Sequence, residues 1–413
     1  MKVHLMGVGG AGVSSLAQVL LSRGESVSGC DLRASETTQR LVAEGALISI
    51  GHDPAHVRGQ DLFIHSAAIR PGNAELEAAR SAGIRTLSRA ELLADLFAAT
   101  DSVAVAGTHG KTTTTHMAGQ VLTAAGLDPT VLVGDGASTR VGAGRWLIAE
   151  ADESDGSLVL HHPRHAIVTN LELDHPDHFP NLGAVREVFA RFLAQVRELA
   201  VVCAEDDELL RLPVAGRRVT YGIETGDYRW RELGLTIGVP GRHNQLNACG
   251  AAALALELGV EEATVAEALA AFKGARRRLE LVGEWRGARL YDDYGHHPTE
   301  VRATLGAARE LAGQGRLLLV FQPHRYTRLA GLLDQFAGSF GGADQVIVTE
   351  VYAAGEEPGP VGGRQLAEQV PGARFAPHFE TVKDDLYSLV EPGDLVLFMG
   401  AGDIWKVPHE LAH

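Results

Sequence analysis

Short apolar runs of strand length alternate along the whole chain with longer segments of helical periodicity. The run VHLMGVGG at 3–10 predicts a strand and a turn, and AGVSSLAQVLLSRG at 11–24 predicts a helix that ends in glycine. The run SVAVAG at 102–107 leads directly into a second helical segment. Further strands are predicted at 316–321, 345–351 and 395–400. This alternation is typical of βαβ units, so we predict an α/β fold built on parallel sheets.

The strand-to-turn pattern starts afresh at three places, which predicts three domains. A chain of 413 residues is also longer than one core usually organises, since a domain takes roughly 100 to 200 residues. We place the domains at 1–97, 98–276 and 277–413. Open α/β sheets bind ligands at the carboxyl ends of their strands, so we expect one ligand for each domain.

Composition restricts the partners. With 37 basic and 52 acidic residues the net charge is −15, which disfavours nucleic acid or an anionic membrane as a general partner. Three scattered cysteines predict reduced, buried thiols rather than a disulfide framework. The first 12 residues lack the apolar run of a signal peptide, and no apolar stretch is long enough for a transmembrane helix. We therefore expect a cytoplasmic protein, either a monomer or a weak homodimer.

The segment GTHGKTT has the composition of a phosphate-binding loop between a strand and a helix. Glycines let the backbone turn its N–H groups toward phosphate oxygens, and the helix that follows presents its positive end. Lys111 is expected to reach the outer phosphates, and the hydroxyl of Thr112 to bind Mg²⁺. The alternative is a glycine turn with an incidental lysine. The predicted ATP-binding residues of this loop are Gly107, Thr108, His109, Gly110, Lys111, Thr112 and Thr113.

Two further predicted strands end in acids and imidazoles. They are LIAEADESDGS at 147–157 and AIVTNLELDHPDHF at 166–179. Carboxylate and hydroxyl oxygens suit a hard cation, so we predict a metal site formed by Thr112, Glu150 and His175. A solvated acidic loop is the alternative.

The first glycine loop fits the pattern GxGxxG, with Asp31 about twenty residues after it. Taken alone, this pair suggests an NAD-dependent oxidoreductase. That hypothesis gives no role to the Lys111 loop or to either acidic segment, whereas the diphosphate of a UDP-sugar would use the same cradle. A nucleotide-switch binding module is a third hypothesis, and it leaves the C-terminal motifs DDYGHHPTE and FQPHRYTR unexplained.

Nine motifs, in order from residue 7 to residue 404, resemble those of the Mur ligases. They are GVGGAGVSSLA, GTHGKTTTT, AEADESDGS, TNLELDHPDHF, GRHNQLNA, RRLE, DDYGHHPTE, FQPHRYTR and AGDI. The resemblance implies a Rossmann-like N-terminal domain for a UDP-sugar, a central P-loop ATPase-type mononucleotide-binding domain, and a Rossmann-like C-terminal domain for an amino acid.

The resemblance also implies a reaction. DESDGS and DDYGHHPTE favour the family members that use ATP to join L-alanine to the carboxylate of UDP-N-acetylmuramate through an acyl phosphate. The alternative within the family is the muropeptide-recycling ligase, which attaches a whole tripeptide. The implied cofactor is Mg²⁺, or Mn²⁺ in its place. Between Tyr221 and Gly241 the chain is shorter than is usual in the family.

The resemblance assigns roles residue by residue. It implies that Lys111 neutralises the γ-phosphate, that His175 lies beside a cation, and that His296 orients or deprotonates the amino group. Arg325 and Arg328 are expected to hold the alanine carboxylate with their forked donors. The implied UDP-sugar contacts are Gly7, Gly9, Gly10, Ala11, Gly12, Asp31 and Ser66. The remaining implied ATP contacts are His243, Asn244, Asn247, Arg278 and Asp293, and the amino-acid contacts are Tyr294, His296, Arg325 and Arg328.

Overall fold

The computed structural model describes residues 1–66, 69, 72–134, 138–176 and 178–412. It contains three sheets with helices between the strands, so the predicted α/β class is confirmed. Contacts divide the chain into two compact units. The first comprises Met1–Leu171, Gly183–Leu235 and Asn247–Leu269, and the second Glu172–Leu182, Thr236–Leu246 and Ala270–His413. The predicted boundaries after residues 97 and 276 stay predictions.

The first sheet has five parallel strands in the order β3-β2-β1-β4-β5. The strands are β1 (Lys2–Met6), β2 (Ser26–Asp31), β3 (Leu47–Ile50), β4 (Leu62–His65) and β5 (Arg85–Ser88). The helices are α1 (Ala11–Ser22), α2 (Glu36–Ala43), α3 (Ala74–Ser81) and α4 (Arg89–Ala99). The central strand β1 is buried at four of its five residues because helices cover both faces of a parallel sheet.

The second sheet belongs to the same unit and has seven strands, all paired in parallel, in the order β12-β11-β10-β9-β6-β8-β7. The strands are β6 (Asp101–Ala106), β7 (Thr130–Leu132), β8 (Trp146–Glu150), β9 (His165–Val168), β10 (Leu199–Cys203), β11 (Arg217–Gly222) and β12 (Tyr228–Arg229). Strand β6 lies between β8 and β9, so the glycine loop and both predicted acidic segments start from neighbouring strands. The helices in this part of the chain are α5 (Lys111–Ala124), α6 (Leu182–Leu193), α7 (Asp207–Leu210), α8 (Trp230–Leu233), α9 (Arg242–Glu257) and α10 (Glu262–Ala270).

The third sheet forms the core of the second unit, in the order β13-β14-β18-β15-β16-β17. The strands are β13 (Glu280–Trp285), β14 (Ala288–Asp293), β15 (Leu317–Phe321), β16 (Gln345–Thr349), β17 (Arg374–Ala376) and β18 (Leu395–Met399). The helices are α11 (Pro298–Ala312), α12 (Tyr326–Ala337), α13 (Gly363–Gln369), α14 (Phe379–Leu389) and α15 (Lys406–Leu411).

The three strands predicted in this region are present, but the sheet is mixed rather than fully parallel. Strands β13 and β14 pair antiparallel through a two-residue turn, Arg286 and Gly287, both at positive φ. Such a turn matches the twist of a hairpin.

The three cysteines are buried free thiols, as predicted. Among the helices of the described residues, none combines the length and the apolar character that crossing a bilayer requires.

Candidate active site

The loop between β6 and α5 needs glycine at two positions. Gly107 has φ +136°, and a Cβ there would lie 2.0 Å from the hydroxyl oxygen of Thr169. Gly110 has φ +81°, and a Cβ there would lie 2.6 Å from Oδ1 of Asn247. Any side chain at these positions would meet both strain and a clash, so the predicted glycine turn is built into the packing.

The first turn of α5 is arranged to receive an anion. Gly110 is its N-cap, and in the described part of the chain no side chain caps this 14-residue helix. The backbone N–H groups of Thr108 and His109 donate to the carbonyl and to the side-chain oxygen of Asn170, at 3.1 and 2.8 Å. Asn170 follows β9 and fixes the loop, a role that the sequence analysis missed. The positive end of α5 therefore follows a loop that these hydrogen bonds fix.

Lys111 lies in this loop with its ammonium group among oxygens. Its Nζ donates to the carbonyl oxygen of Gly107 at 2.6 Å and to Oε2 of Glu153 at 2.9 Å, and lies 3.3 Å from Oδ1 of Asp152. Burial alone would lower the pKa of Lys111, but Glu153, Asp152 and Glu150 together raise it above its usual value. The lysine is therefore held in the charged form.

The acids that follow β8 outnumber the cation beside them. Three carboxylates, those of Glu150, Asp152 and Glu153, act on the single ammonium of Lys111. Burial raises the pKa of Glu153 to about 7, although Lys111 opposes the shift. The excess of negative charge fits a site that takes a further cation, which supports the predicted metal site over a solvated acidic loop.

The three predicted metal ligands are distributed between the two units. Thr112 in α5 and Glu150 at the end of β8 belong to the first unit, and both follow neighbouring strands. Glu150 faces Gly134, where a Cβ would lie 2.9 Å from Oε2. His175 belongs to the second unit and has φ +54°, which is strained for a residue with a side chain. Its backbone N–H donates to Oδ1 of Asp174 at 2.7 Å.

Three of the predicted ATP contacts, His243, Asn244 and Asn247, lie in the first two turns of α9. His243 and Asn247 are four residues apart and share one face of the helix. The Nδ2 of Asn244 donates to the carbonyl of Pro240 at 2.7 Å. Burial, reinforced by the charge of Arg278, lowers the pKa of His243 to about 4, so its ring is neutral at pH 7.

The first glycine loop is held by the acid that the sequence analysis paired with it. The backbone N–H of Gly9 donates to Oδ2 of Asp31 at 2.9 Å, and a Cβ on Gly9 would meet the same oxygen. Gly7 has φ +77° and lies against Ser66, whose Cβ is 3.2 Å from the position of a Cβ on Gly7. These predicted UDP-sugar contacts are brought together at the carboxyl ends of β1, β2 and β4.

The helix after this loop also begins without a side-chain cap among the described residues. Gly10 is the N-cap of α1, and Ala11 is its first residue. A Cβ on Gly12 would lie 2.7 Å from the Cδ of Arg89. An arginine therefore lies beside the positive end of α1, which suits an anionic ligand. Arg89 was not predicted, because nothing near it in the sequence marks it.

In the second unit, the predicted amino-acid contact Arg328 is buried and paired with a carboxylate. Its Nε and Nη2 donate to the two oxygens of Asp174 at 2.8 and 3.3 Å, and its Nη1 lies 3.1 Å from Nδ1 of His324. Burial opposes ionisation of Asp174, but Arg328 and nearby imidazoles hold the pKa of this carboxyl well below its usual range. Asp174 was quoted within a motif but was not predicted as a site residue.

Arg325 differs from Arg328 in its surroundings. Its side chain is half-buried, and its backbone has φ +67° at the N-cap of α12. A strained residue at a helix start is held there by its surroundings, here by a hydrogen bond from its N–H to the carbonyl of Tyr352 at 2.9 Å. The structure thus presents one arginine partly to solvent and locks the other.

His296 lies close enough to Arg328 and Asp174 to feel their charges. Its backbone N–H donates to Oε2 of Glu300 at 2.9 Å, and its ring is 5.5 Å from the ring of Tyr294. Burial lowers the pKa of His296 to about 4, with Glu300 opposing and Arg328 adding to the shift. The guanidinium of Arg278 lies over the Tyr294 ring at 5.4 Å. His296 is therefore a neutral imidazole at pH 7, as a proton acceptor must be.

Asp293, a predicted ATP contact, is buried and hydrogen-bonded within the protein. Its two oxygens accept hydrogen bonds from the backbone N–H groups of Gly295 and Leu279 at 2.7 and 2.8 Å. Burial raises its pKa to about 6, although Arg278 opposes the shift. These bonds fix the segment after β14, and the role of Asp293 in ATP binding stays a prediction.

Sequence family models match three parts of the chain. The Mur ligase family, catalytic domain, matches residues 2–100, the Mur ligase middle domain matches 145–255, and the Mur ligase, glutamate ligase domain, matches 277–402.

Individual relatives match over nearly the whole length. A UDP-N-acetylmuramate–L-alanine ligase of Solidesulfovibrio magneticus is 42% identical, covering 98% of this chain and 96% of its own. The one of Symbiobacterium thermophilum is 43% identical, covering 100% and 94%. The crystal structure of UDP-N-acetylmuramate-alanine ligase from Thermotoga maritima is 29% identical with a TM-score of 0.83, covering 100% of this chain and 98% of its own. A murein peptide ligase from Psychrobacter arcticus, 24% identical with a TM-score of 0.69, shares the fold.

Proposed function

The chain belongs to the Mur ligase family, and on that premise we propose that it joins L-alanine to the carboxylate of UDP-N-acetylmuramate at the expense of ATP. Similarity over the whole chain to ligases of that name supports the two substrates. One observation supports the ATP-dependent part of the proposed reaction. The charged Lys111 lies at the uncapped start of α5. Together they offer N–H groups and a cation to a triphosphate.

A carboxylate and an amine do not condense in water at neutral pH, so the carboxylate needs a better leaving group. An oxygen of the muramyl carboxylate attacks the γ-phosphorus, the bond to the β–γ bridging oxygen breaks, and ADP leaves. The resulting acyl phosphate is attacked by the neutral amine of alanine. The tetrahedral intermediate collapses with loss of phosphate and a proton, which leaves the amide.

For the first step the protein supplies positioning and charge. We propose that Lys111 leaves its carboxylate partners for the γ-phosphate, where it neutralises charge that develops in the transition state. We propose Thr112, Glu150 and His175 as ligands of Mg²⁺, or of Mn²⁺ in its place; when bound, the cation neutralises phosphate oxygens. The acidic excess around Lys111 supports a cation in this region.

For the second step the protein must hold a zwitterionic amino acid and free its amine of a proton. We propose that Arg325 binds the alanine carboxylate directly. Arg328 already has Asp174 on two of its donors and His324 beside Nη1, so we propose that only its remaining N–H groups face the ligand. His296 has a neutral ring that can accept a hydrogen bond from the amino group, which supports the orienting role proposed for it.

The alternatives receive less support. The full-length relatives described above are named for L-alanine, whereas the murein peptide ligase is similar at 24% identity. An NAD-dependent oxidoreductase leaves Lys111 and its three acids without a role. We propose that the reaction takes place in the cytoplasm, where ATP is available.

Phosphate release tests the proposal. With ATP and Mg²⁺ present, phosphate should appear only when UDP-N-acetylmuramate and L-alanine are both added. A panel with serine, glycine and the tripeptide in place of alanine measures selectivity. Turnover with the tripeptide but not with alanine would assign the recycling activity instead, and turnover with neither would reject the proposal.

A further inference from the structure

A mixed cluster of metal-ligating side chains lies within the first sheet, away from the predicted ATP site. His4 is on β1, Cys30 on β2, His56 in the short helical turn Pro54–Val57, and Glu75 in the first turn of α3. One ligand atom from each of the four lies within 4.8 Å of all the others. His4, Cys30 and Glu75 are almost completely buried, with exposures of 2, 0 and 0%. A buried glutamate is rare unless it is paired.

Strand register explains why these side chains meet. His4 pairs with Ser28 and Met6 pairs with Cys30, so His4 and Cys30 lie on the same face of two neighbouring strands. His56 and Glu75 cover that face, and Nδ1 of His56 is 3.1 Å from Oε1 of Glu75. The Sγ of Cys30 lies 3.3 and 3.2 Å from the two oxygens of Glu75. The four groups therefore converge on one point.

The ring of His4 has a polar partner at each nitrogen. Its Nδ1 is 2.9 Å from Oγ of Ser28, and that hydroxyl donates its own hydrogen to the carbonyl of Val3, so Nδ1–H can donate to Ser28. Its Nε2 lies 2.9 Å from Oε1 of Glu75. At this distance the imidazole and the carboxylate can share either a proton or a metal ion.

We propose that His4, Cys30, His56 and Glu75 bind a structural Zn²⁺ ion. Two imidazoles, a thiolate and a carboxylate are ligands that zinc takes in tetrahedral sites. Metal–ligand distances of about 2.0 to 2.3 Å put tetrahedral ligands roughly 3.3 to 3.8 Å apart, so the present contacts need only small shifts. Thiolate and carboxylate together balance the charge of the ion in a buried place. Ser28 orients His4, as second-shell partners of metal-bound histidine do.

The ion would also brace the first glycine loop. The backbone N–H groups of Gly7 and Val8 donate to the carbonyl of Cys30 at 2.8 and 3.1 Å. A metal bond to the Cys30 side chain would therefore fix the carbonyl that positions the start of the loop. The site would tie α3 and the turn at His56 to the sheet, so we expect zinc to stabilise the protein.

Cobalt substitution of the full-length protein tests the proposal. The chelator-treated protein is titrated with Co²⁺ in excess Mg²⁺, which occupies oxygen-rich sites. One equivalent should give the near-ultraviolet charge-transfer band of a cobalt–thiolate bond and the visible bands of a tetrahedral ion. Zn²⁺ should abolish both and raise the melting temperature. Cys30→Ser should lose the charge-transfer band, whereas Cys249→Ser, at a buried cysteine of α9, should keep it.

A second variant tests the site in a protein that should still fold. His56→Asn changes a side chain that is 21% exposed, so the fold should survive, as circular dichroism would verify. Since even an outer-shell partner contributes roughly 10- to 100-fold to metal affinity, losing this ligand should weaken Co²⁺ binding by at least about tenfold. Absence of a thiolate band in the wild-type protein at one equivalent, or its persistence in Cys30→Ser, would overturn the proposal. In either case the cluster is a metal-free hydrogen-bond network around Glu75.

Discussion

Lys111 in the first unit is half-buried and Arg328 in the second is buried, and both cations face carboxylates. They differ in the number of carboxylates around them. Lys111 interacts with three carboxylates, those of Glu150, Asp152 and Glu153. Arg328 has one, Asp174, which it binds with two parallel donors at 2.8 and 3.3 Å. The two sites therefore contain the same kinds of charged group, but the ratio of carboxylates to cations differs between them.

The charge ratio decides how the carboxylates titrate. Burial raises the pKa of Glu153 to about 7, and the nearby Asp152 adds to the shift while Lys111 opposes it. Burial would also raise the pKa of Asp174, yet Arg328 lowers it well below its usual range. A buried pair in balance is a structural element, because each partner neutralises the other. A site with more carboxylates than cations is destabilised by repulsion among the carboxylates, so it is suited to bind another cation.

The largest expected effect comes from breaking the balanced pair. Arg328→Ala leaves Asp174 buried and unpaired, which should lower the free energy of unfolding by about 3 to 5 kcal/mol. Denaturant unfolding measures this. Arg374→Ala is the matched control, because Arg374 is exposed and its pair with the half-buried Asp385 should contribute less than about 1 kcal/mol. Adding Asp174→Ala to Arg328→Ala should recover much of the loss; no recovery would mean that the pair is not the cause.

The corresponding change in the acidic site tests the chemistry of the reaction. Lys111→Ala removes the cation proposed for the γ-phosphate, so turnover should fall by a factor on the order of 10² to 10³ or more. The affinity for UDP-N-acetylmuramate should stay nearly unchanged, as isothermal titration would show, because the first glycine loop is separate. Lys273→Ala, at an exposed position, is the control. Turnover within a few fold of wild type would remove Lys111 from the mechanism.

The loops of these sites could be predicted from the sequence, whereas the ion pairs between their side chains could not. Both glycine loops, β8 and β9 could be predicted because glycine spacing and apolar runs are local signals. The pairing of Arg328 with Asp174 could not, since 154 positions separate the two residues and no periodicity links them. The antiparallel β13–β14 hairpin was missed because its turn, Arg286–Gly287, is marked by a single glycine. Glu153 was one of four acids in its motif, and burial alone distinguishes it.

Arg325 extends the comparison, because it carries the same charge as Arg328 but its side chain is only half-buried. Arg325→Ala should raise the KM for alanine by a factor equivalent to about 1.5 to 3 kcal/mol, the contribution of a charged hydrogen bond. The KM for ATP and the free energy of unfolding should change little. Lysine should restore part of the effect, since it keeps the charge and loses the planar fork. A change in UDP-sugar binding with an unaltered alanine KM would show that the third domain does not bind the amino acid.

The last prediction concerns the pH dependence of stability at the acidic site. The pKa of Glu153 rises from an ordinary value of 4.5 to about 7 in the folded protein, chiefly through burial. A group with a raised folded pKa stabilises the protein below its unfolded pKa and loses that contribution as the pH rises through the folded value. Between pH 4.5 and 7 the wild type should therefore lose stability relative to Glu153→Gln, which cannot ionise. Glu267→Gln, at an exposed glutamate of the same unit, should follow the wild-type curve. Parallel curves for wild type and Glu153→Gln in denaturant unfolding would mean that Lys111 fully neutralises Glu153, and the contrast with Asp174 would then disappear.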